Sequence, residues 1–434
     1  MTETYDTAII GAGVIGAAVA YELSKRGYKT VNVDMLPEAG YGSTSNSCAI
    51  IRVHYSTLDG TAMAYAGYFY WKHWRDYLDT DDEAGIAKFH DIGCLIMKTE
   101  GNGHLKNVLA HVEALGIPHE HWDQQRILEA LPVYNLQCFS PPKLLHDEGF
   151  GEPTGGEVRG GVFFPTAGYI SDPKLSAHNL QRAAEARGGR FVFRKRVVEI
   201  PIDQGRVKGL VLDDGTRIDA PIVVNVAGPH SHKINALVGA DKDMRITTCA
   251  VRQEVVHLPS PPEFNFGENG IVVSDNDIGV YCRPETGNNV LAGSEDPECD
   301  PRETVDPDDF SRDFTDQWTA QALRMAQRMP SMGIPSKMSG VVDLYDVTDD
   351  WIPIYDKSCI DGFYMACGSS GNQYKNAPVA GKLMASLIEY CGSGNDHDRN
   401  PLQFPLENVD HIFDAATVSR LRKINPDSSF SVLG

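Results

Sequence analysis

Thr7-Ala8-Ile9-Ile10-Gly11-Ala12-Gly13-Val14-Ile15-Gly16 opens a segment that runs on to Val31-Asn32-Val33-Asp34 and decides the fold. Four residues of strand character lead into a GxGxxG turn, a helix runs from Val14 to Arg26-Gly27, and a second strand ends in a carboxylate. Gly11 suits a tight turn, Gly13 lets the backbone approach a pyrophosphate, and Gly16 lets helix pack on strand. The helix N-terminus then offers amide hydrogens to the phosphates. Asp34 lies eighteen residues past Gly16, close to the roughly 20 at which a carboxylate grips an adenosine ribose. A bare GxGxxG string occurs often by chance. Here the strand before it, the cation and C-cap glycine at Arg26-Gly27 and the closing acid make it a dinucleotide-binding unit. The unit does not say whether FAD or a nicotinamide binds.

The chain around this unit has 434 residues, 42% of them apolar and 23% charged, the proportions of a globular protein with room for two domains. Its 59 acidic and 39 basic side chains give a net charge of -20, which opposes binding to nucleic acid or an anionic membrane. The longest apolar run, Ala8 to Ala20, has thirteen residues with three glycines and is too short to span a bilayer. Glu3 and Asp6 precede it in place of the positive flank of a signal peptide, so a cytoplasmic enzyme is expected. Nine cysteines without CxxC or Cys/His ligand spacing predict neither a disulfide framework nor a metal site.

Further along, Asn179 to Gly189 reads as an amphipathic helix stopped by glycine, followed by short strands with hairpin signals around Asp213-Asp-Gly-Thr216. Ile222 to Val226 is nearly all apolar, as expected of a strand buried on both faces of a parallel sheet. From Val251 to Glu295 strands alternate with polar turns, which predicts a second, antiparallel sheet. A helix over Thr315 to Met329, a buried strand over Gly362 to Gly368 and a helix from about Pro378 to Tyr390 follow. The last thirty or so residues read as a surface tail.

Three segments turn the cofactor question toward FAD. Gly42-Ser-Thr-Ser-Asn46-Ser-Cys-Ala-Ile-Ile51-Arg52 is rich in small and hydroxyl residues that could run beside a flat ring system. Val224-Asn-Val-Ala-Gly-Pro229 is a strand that breaks abruptly, and Cys367-Gly-Ser-Ser-Gly371-Asn-Gln-Tyr-Lys375-Asn-Ala-Pro378 is a glycine-rich junction from strand to helix. With Gly168-Tyr-Ile-Ser-Asp-Pro173 and Gly340-Val-Val-Asp-Leu-Tyr345-Asp-Val-Thr-Asp349, these motifs resemble, in order, the signatures of FAD-dependent amine oxidoreductases. The group is the D-amino-acid oxidase superfamily, its sarcosine oxidase-like branch, and the resemblance runs from about Ala8 to Ile388.

That resemblance implies an α/β fold: a glutathione-reductase-like, Rossmann-type FAD domain assembled from residues 1–90, 150–240 and 337–400. An antiparallel substrate domain is inserted at 91–149 and 241–336, and 401–434 forms the tail. It implies cofactor contacts at Gly11, Gly13, Val14, Ile15, Gly16 and Asp34, then at Ser43, Thr44, Ser45, Ile51 and Arg52. Val198, Ala227 and Gly228 follow, and Gly368, Ser370, Gly371, Asn372, Gln373, Tyr374 and Lys375 lie at the isoalloxazine end. Arg52 and Lys375 match a pair that holds the substrate carboxylate, each charge-assisted bond contributing on the order of 1.5 to 3 kcal/mol. Tyr345 matches a substrate-site tyrosine, and Tyr281 is a second candidate wall residue.

Departures from the family pattern sharpen the expectation. Asp343 stands where monomeric sarcosine oxidases have a cysteine bonded to the flavin, and no histidine is present around Ser45-Asn46, so the FAD is expected to be non-covalent. The strand Val290-Leu291-Ala292-Gly293 lacks the lysine that promotes reaction with oxygen, leaving the electron acceptor as oxygen or another carrier. Glu295 falls where those oxidases have a histidine and reads as a loop carboxylate or, if it faces the pocket, as a partner for a second cationic group. The expected activity is oxidation of the C–N bond of an amino acid or N-alkyl amino acid. A flavin-bearing subunit of a hetero-oligomeric dehydrogenase and an NAD-dependent dehydrogenase are the alternatives.

Overall fold

A computed structural model describes residues 3–100 and 102–433. The apolar strands assemble a six-stranded sheet in the order Arg190–Phe193, Thr30–Asp34, Thr7–Ile10, Ile222–Asn225, Phe363–Cys367, Ile354–Lys357. All neighbours run parallel except the last strand, which is antiparallel. Thr7–Ile10 and Phe363–Cys367 are buried throughout, which is why they read as continuous apolar runs. Helix Val14–Lys25 packs against both Pro173–Glu185 and Ala377–Gly392. A Cβ on Gly381 would lie 2.7 Å from the Ala18 carbonyl, so the last helix can approach only as glycine.

Two helices differ from expectation. The one placed at Asn179 to Gly189 begins earlier, at Pro173, because Asp172 accepts from Leu175 N at 2.8 Å as N-cap and Pro173 occupies the first turn. Helix Leu58–Lys72 went unread in the sequence, since it is buried around most of its circumference and its apolar residues form no stripe.

The second sheet has nine strands. Thr248–Pro259 pairs with Gly340–Thr348, Asn289–Ser294 and Glu303–Thr304. Beyond Asn289–Ser294 lie Val280–Glu285, Val272–Asp275, Cys94–Met97, Gly161–Phe164 and Glu120–Trp122. The pairing of Val272–Asp275 with Cys94–Met97 is parallel, so the sheet is mixed where a purely antiparallel one was expected. Gly161–Phe164 and Gly340–Thr348, assigned from the sequence to the cofactor segments 150–240 and 337–400, belong to this sheet. Alternation reveals a strand but not its partner; the pairing of all nine residues of Gly340–Thr348 along Thr248–Pro259 decides the matter.

Residues 401–433, the described part of the expected tail 401–434, are not a surface tail. Arg420 is buried and ion-paired with Asp243, Asp356 and Asp398, and Val432 and Leu433 are 2% and 7% exposed. The polar composition of this stretch hid its burial, because its charges are satisfied inside the protein. Among the described residues no helix is long and apolar enough to cross a membrane.

Helix Asp316–Arg328 is pinned to the second sheet by its last residue. Arg328 is 0% exposed and donates to Asp275 Oδ2 at 2.7 Å and Asp277 Oδ2 at 2.9 Å. Arg328→Met strands two buried carboxylates and is expected to lower unfolding free energy by about 3–5 kcal/mol. Urea denaturation checks this, and a loss below about 1 kcal/mol would contradict the pinning role.

Candidate active site

The two sheets line a partly open cavity. At one end Gly13, Val14, Ile15 and Gly16 form its wall, and Ser43, Thr44 and Arg52 lie along its side. The second sheet supplies the floor. Gln253, Val255, Val341, Asp343 and Tyr345 all line it, as alternate residues on one face of two paired strands. Gly371 to Lys375 and Gly228 complete the enclosure.

The glycine turn fits a pyrophosphate. Helix Val14–Lys25 starts at Gly13 with no side-chain cap from that residue and no acid in its first turn; Val14 N donates to Thr44 Oγ1, and the amides that follow it keep their donor capacity. Gly11 adopts φ +113, and a Cβ there would lie 2.2 Å from the Val226 carbonyl. A Cβ on Gly13 would crowd Thr44 Oγ1 at 3.1 Å, the atom that accepts from Val14 N. At the other end the wall is again bare backbone. A Cβ on Gly371 would meet the Tyr345 ring at 2.5 Å, and one on Gly293 would meet Tyr281 Oη at 2.3 Å. Each candidate tyrosine therefore packs on a glycine. Helix Leu58–Lys72 steadies this turn: Trp71 Nε1 donates to the Lys375 carbonyl at 2.7 Å and stacks on the Tyr374 ring at 5.2 Å.

Several residues expected at the cofactor do not line the cavity. Asp34 braces the glycine turn, its carboxylate accepting from Ala12 N at 2.7 Å and Leu36 N at 2.8 Å; burial raises its pKa and these amides oppose the rise. Ser45 Oγ turns back to the Gly42 carbonyl at 2.9 Å, and Ile51 is core at 0% exposure. Ala227 N donates to Asn225 Oδ1 at 3.1 Å. Gly368, at φ +69, donates to Asp346 Oδ2, and Ser370 accepts from Thr348 N at 3.2 Å, so both shape the turn from behind. Val198 is 46% exposed on a separate four-stranded sheet. Asp34 and Ser45 thus spend their side chains, and Ala227 and Gly368 their amides, on local structure, whereas Val198 lies in another sheet.

Arg52 and Lys375 do meet in the cavity, in unlike surroundings. Arg52 Nε donates to Tyr55 Oη at 3.0 Å and Nη2 donates to the Val432 carbonyl. Burial opposes its charge, but Tyr55 and Glu295 more than offset this, and its pKa is raised. Lys375 Nζ donates to the Asn372 carbonyl and lies 4.1 Å from the centre of the Tyr55 ring. Burial, then Arg52, hold its pKa well below the usual ammonium range. The Tyr281 and Tyr345 hydroxyls are pushed above the usual phenol range, chiefly by burial. Tyr281 Oη contacts Cys48 Sγ at 3.0 Å.

Glu295 is 3% exposed; Oε1 accepts from Ser274 Oγ at 2.6 Å and Oε2 has no hydrogen-bond partner among the described residues. It is a loop carboxylate, as the first of the two readings had it, but a buried one, just past the strand Asn289–Ser294 and outside the cavity lining. Tyr55, Gln253, Cys48 and Val432 escaped the sequence reading. Gln253 carried a usable signal, since it alternates with Val251 and Val255 in a strand. Val432 carried none.

A parallel Rossmann-type sheet whose glycine turn forms one end of the cavity fits a dinucleotide-binding protein. The chain belongs to the FAD dependent oxidoreductase (DAO) family, whose profile matches residues 6–387. FAD is its dinucleotide, and the nicotinamide alternative lapses. The chain is 24% identical over 405 residues to glycine oxidase of Geobacillus kaustophilus, covering 90% of this chain and 94% of that protein. The crystal structure of glycine oxidase from Geobacillus kaustophilus superposes with a TM-score of 0.73 at 21% identity, over 98% of this chain and 100% of that one. Sarcosine oxidase subunit beta of Arthrobacter sp is 23% identical, with 89% and 87% coverage. The mitochondrial pyruvate dehydrogenase phosphatase regulatory subunit of Mus musculus is 22% identical over 88% of this chain, which spans only 41% of that longer protein.

Behind Gln253, whose Nε2 donates to Asp296 Oδ1 at 2.9 Å, Asp296 is buried and its pKa is pushed up by that burial to about 7. Between its ordinary value of about 4 and this one, the folded protein keeps a proton that the unfolded chain has released. Its contribution to stability is therefore present at low pH and falls as pH rises through that window. Asp296→Asn, neutral throughout, is expected to show a melting temperature that varies less between pH 4.5 and 8 and exceeds the parent's at the upper end. Parallel curves would count against this assignment.

Proposed function

We propose that the protein oxidises the C–N bond of an amino acid or N-alkyl amino acid, with Arg52 as the anchor of the substrate carboxylate. The observation that carries this is a buried guanidinium in the cavity wall whose hydrogen-bond partners are a phenol and a peptide carbonyl, both neutral. Of its five N–H donors these use two, leaving three for a carboxylate. The relatives named glycine oxidase and sarcosine oxidase subunit beta support the substrate class.

FAD, when bound, supplies the hydride acceptor. The chain's own contribution is to hold a C–H bond in one place, exclude water and manage one proton. Arg52 fixes the carboxylate end. Lys375, with its pKa depressed beside it, favours the neutral amine and can take a proton from a substrate ammonium, leaving the substrate nitrogen with a free lone pair. Tyr281 and Tyr345 keep their protons and act as aromatic walls. The FAD is dissociable on this reading, since Asp343 accepts from Asn46 Nδ2 at 2.5 Å where a covalent attachment would need a cysteine. The acceptor is oxygen or another carrier, and the absence of lysine from Asn289–Ser294 favours the latter.

A second reading makes the chain the flavin-bearing subunit of a larger assembly. Its likeness to proteins named as subunits, sarcosine oxidase subunit beta and the phosphatase regulatory subunit, favours it. Native mass measurement on protein from its own host tests it.

Anaerobic mixing of the yellow protein with amino acids and N-methyl amino acids tests the main proposal. At least one should bleach the flavin with saturable kinetics. Arg52→Met should retain flavin but need at least about tenfold more substrate for the same rate, as expected for one charge-assisted bond; unchanged saturation would remove the carboxylate anchor.

A further inference from the structure

We infer that the segment Ser428–Leu433 is a wall of the substrate site and that Val432 is the positioning residue for Arg52, an inference that rests on Arg52 being the carboxylate anchor. The segment reaches the cavity from the far end of the chain. Val432 lines it and is 2% exposed, packed with Val251, Val347 and Trp351 and against Tyr345. It therefore lies between the strand that carries Tyr345 and the guanidinium of Arg52.

Hydrogen bonds along its length hold it there. Ser428 Oγ donates to the Asp350 carbonyl at 2.6 Å, and Asp350 is itself held by Arg422 at 2.7 Å. Arg302 Nη2 donates to the Phe430 carbonyl at 2.7 Å while its guanidinium lies over the Trp351 ring at 4.9 Å. Ser56 N donates to the Leu433 carbonyl at 3.2 Å, four residues from Arg52 in the chain. The segment is thus tied to Asp350, Arg302 and Ser56, and the Val432 carbonyl accepts from Arg52 between the ties at Phe430 and Leu433.

The chemistry of that acceptor matters. A planar guanidinium held at one vertex can still swing about its contact, whereas holds at Nε and Nη2 fix the plane of the whole fork. Tyr55 provides the first hold and Val432 the second. A carboxylate in the place of Val432 would fix the plane equally well but cancel the charge that the substrate must find. A peptide carbonyl orients without neutralising. The remaining donors, both on Nη1 and one on Nη2, then present one direction to an incoming carboxylate.

The test uses the FAD-loaded protein and two inert probes, acetate and phenylacetate, titrated while the visible flavin spectrum is followed. A variant lacking residues 429–434 is expected to keep its flavin affinity, to bind acetate at least tenfold more weakly, and to lose its discrimination between the two acids. Dissociation constants within twofold of the parent's would overturn the inference. Arg52→Met separates the two levels of the argument. If it abolishes the acetate response while the deletion does not, only the role of Ser428–Leu433 fails; if it binds acetate as the parent does, the anchor itself fails. Should the deletion cost the flavin, Leu433→Pro replaces it. Proline at 433 removes the N–H that Leu433 donates to Ser431 Oγ at 3.3 Å and restricts the backbone of Val432 before it, so this single change disturbs the turn that aims the Val432 carbonyl. It should weaken acetate binding at least fivefold with flavin affinity unchanged, and an unaltered constant would overturn the inference equally.

Discussion

The parallel pairing of Ile222–Asn225 between Thr7–Ile10 and Phe363–Cys367 is the constraint on which the site depends. It aligns three strands from the beginning, middle and end of the chain, so that the turns following each emerge at one sheet edge. Buried amides then fix the turns to the strands. Asn32 Nδ2 donates to the carbonyls of Gly11 at 3.0 Å and Gly16 at 3.1 Å, and Asn225 Nδ2 donates to the Ser231 carbonyl at 2.9 Å and Asn235 Oδ1 at 2.8 Å. An asparagine inside a parallel sheet is costly unless its hydrogen bonds are met. Here the amide donors are met, while Asn32 Oδ1 has no partner among the described residues, and these bonds hold the glycine turn and the segment after Val226 to their strands.

Local signals in the sequence are strong where backbone geometry is demanding. Gly11 needs a conformation that favours glycine, and Gly13 and Gly16 need bare backbone, so the cofactor end was legible from their spacing together with the strand before them and the acid after. Arg52, Tyr345 and Lys375 were legible only through the family's ordered motifs, because nothing in a lone Arg, Tyr or Lys says which cavity it will enter. Tyr55, Gln253 and Val432 were not legible. Each is brought to the site by pairing between distant segments, and Val432 acts through a carbonyl that every residue type possesses. The same reasoning explains Asp34: the motif places a carboxylate at the strand end, and the amide of Ala12 claims one of its oxygens.

Domain boundaries were hidden for a related reason. A strand such as Gly340–Thr348 has the same alternation whichever sheet it joins, and its partner Thr248–Pro259 lies some ninety residues earlier. The consequence is functional, since this pairing puts Tyr345 opposite Val251 and Asp343 opposite Gln253. Had the strand joined the parallel sheet, the floor of the cavity would have lost both. The cofactor sheet and the substrate wall are thus joined within one segment, from Tyr345 through Phe363–Cys367 to Lys375.

Two basic side chains buried in one cavity oppose each other's charge. Their repulsion and desolvation must lower the pKa of one, and the surroundings decide which. Arg52 has the higher intrinsic pKa, the Tyr55 hydroxyl, the Val432 carbonyl and the nearby Glu295, so it keeps its charge. Lys375 has the Asn372 carbonyl and the ring face of Tyr55, and Arg52 opposes it. A symmetric clamp of two cations would bind a carboxylate more strongly but would leave nothing to accept the proton of an ammonium. On the proposed reading, unequal surroundings divide anchoring from proton transfer without any third group. That division also explains why Tyr55 contacts both residues: its hydroxyl supports the charged one, while its ring packs against the one that favours neutrality.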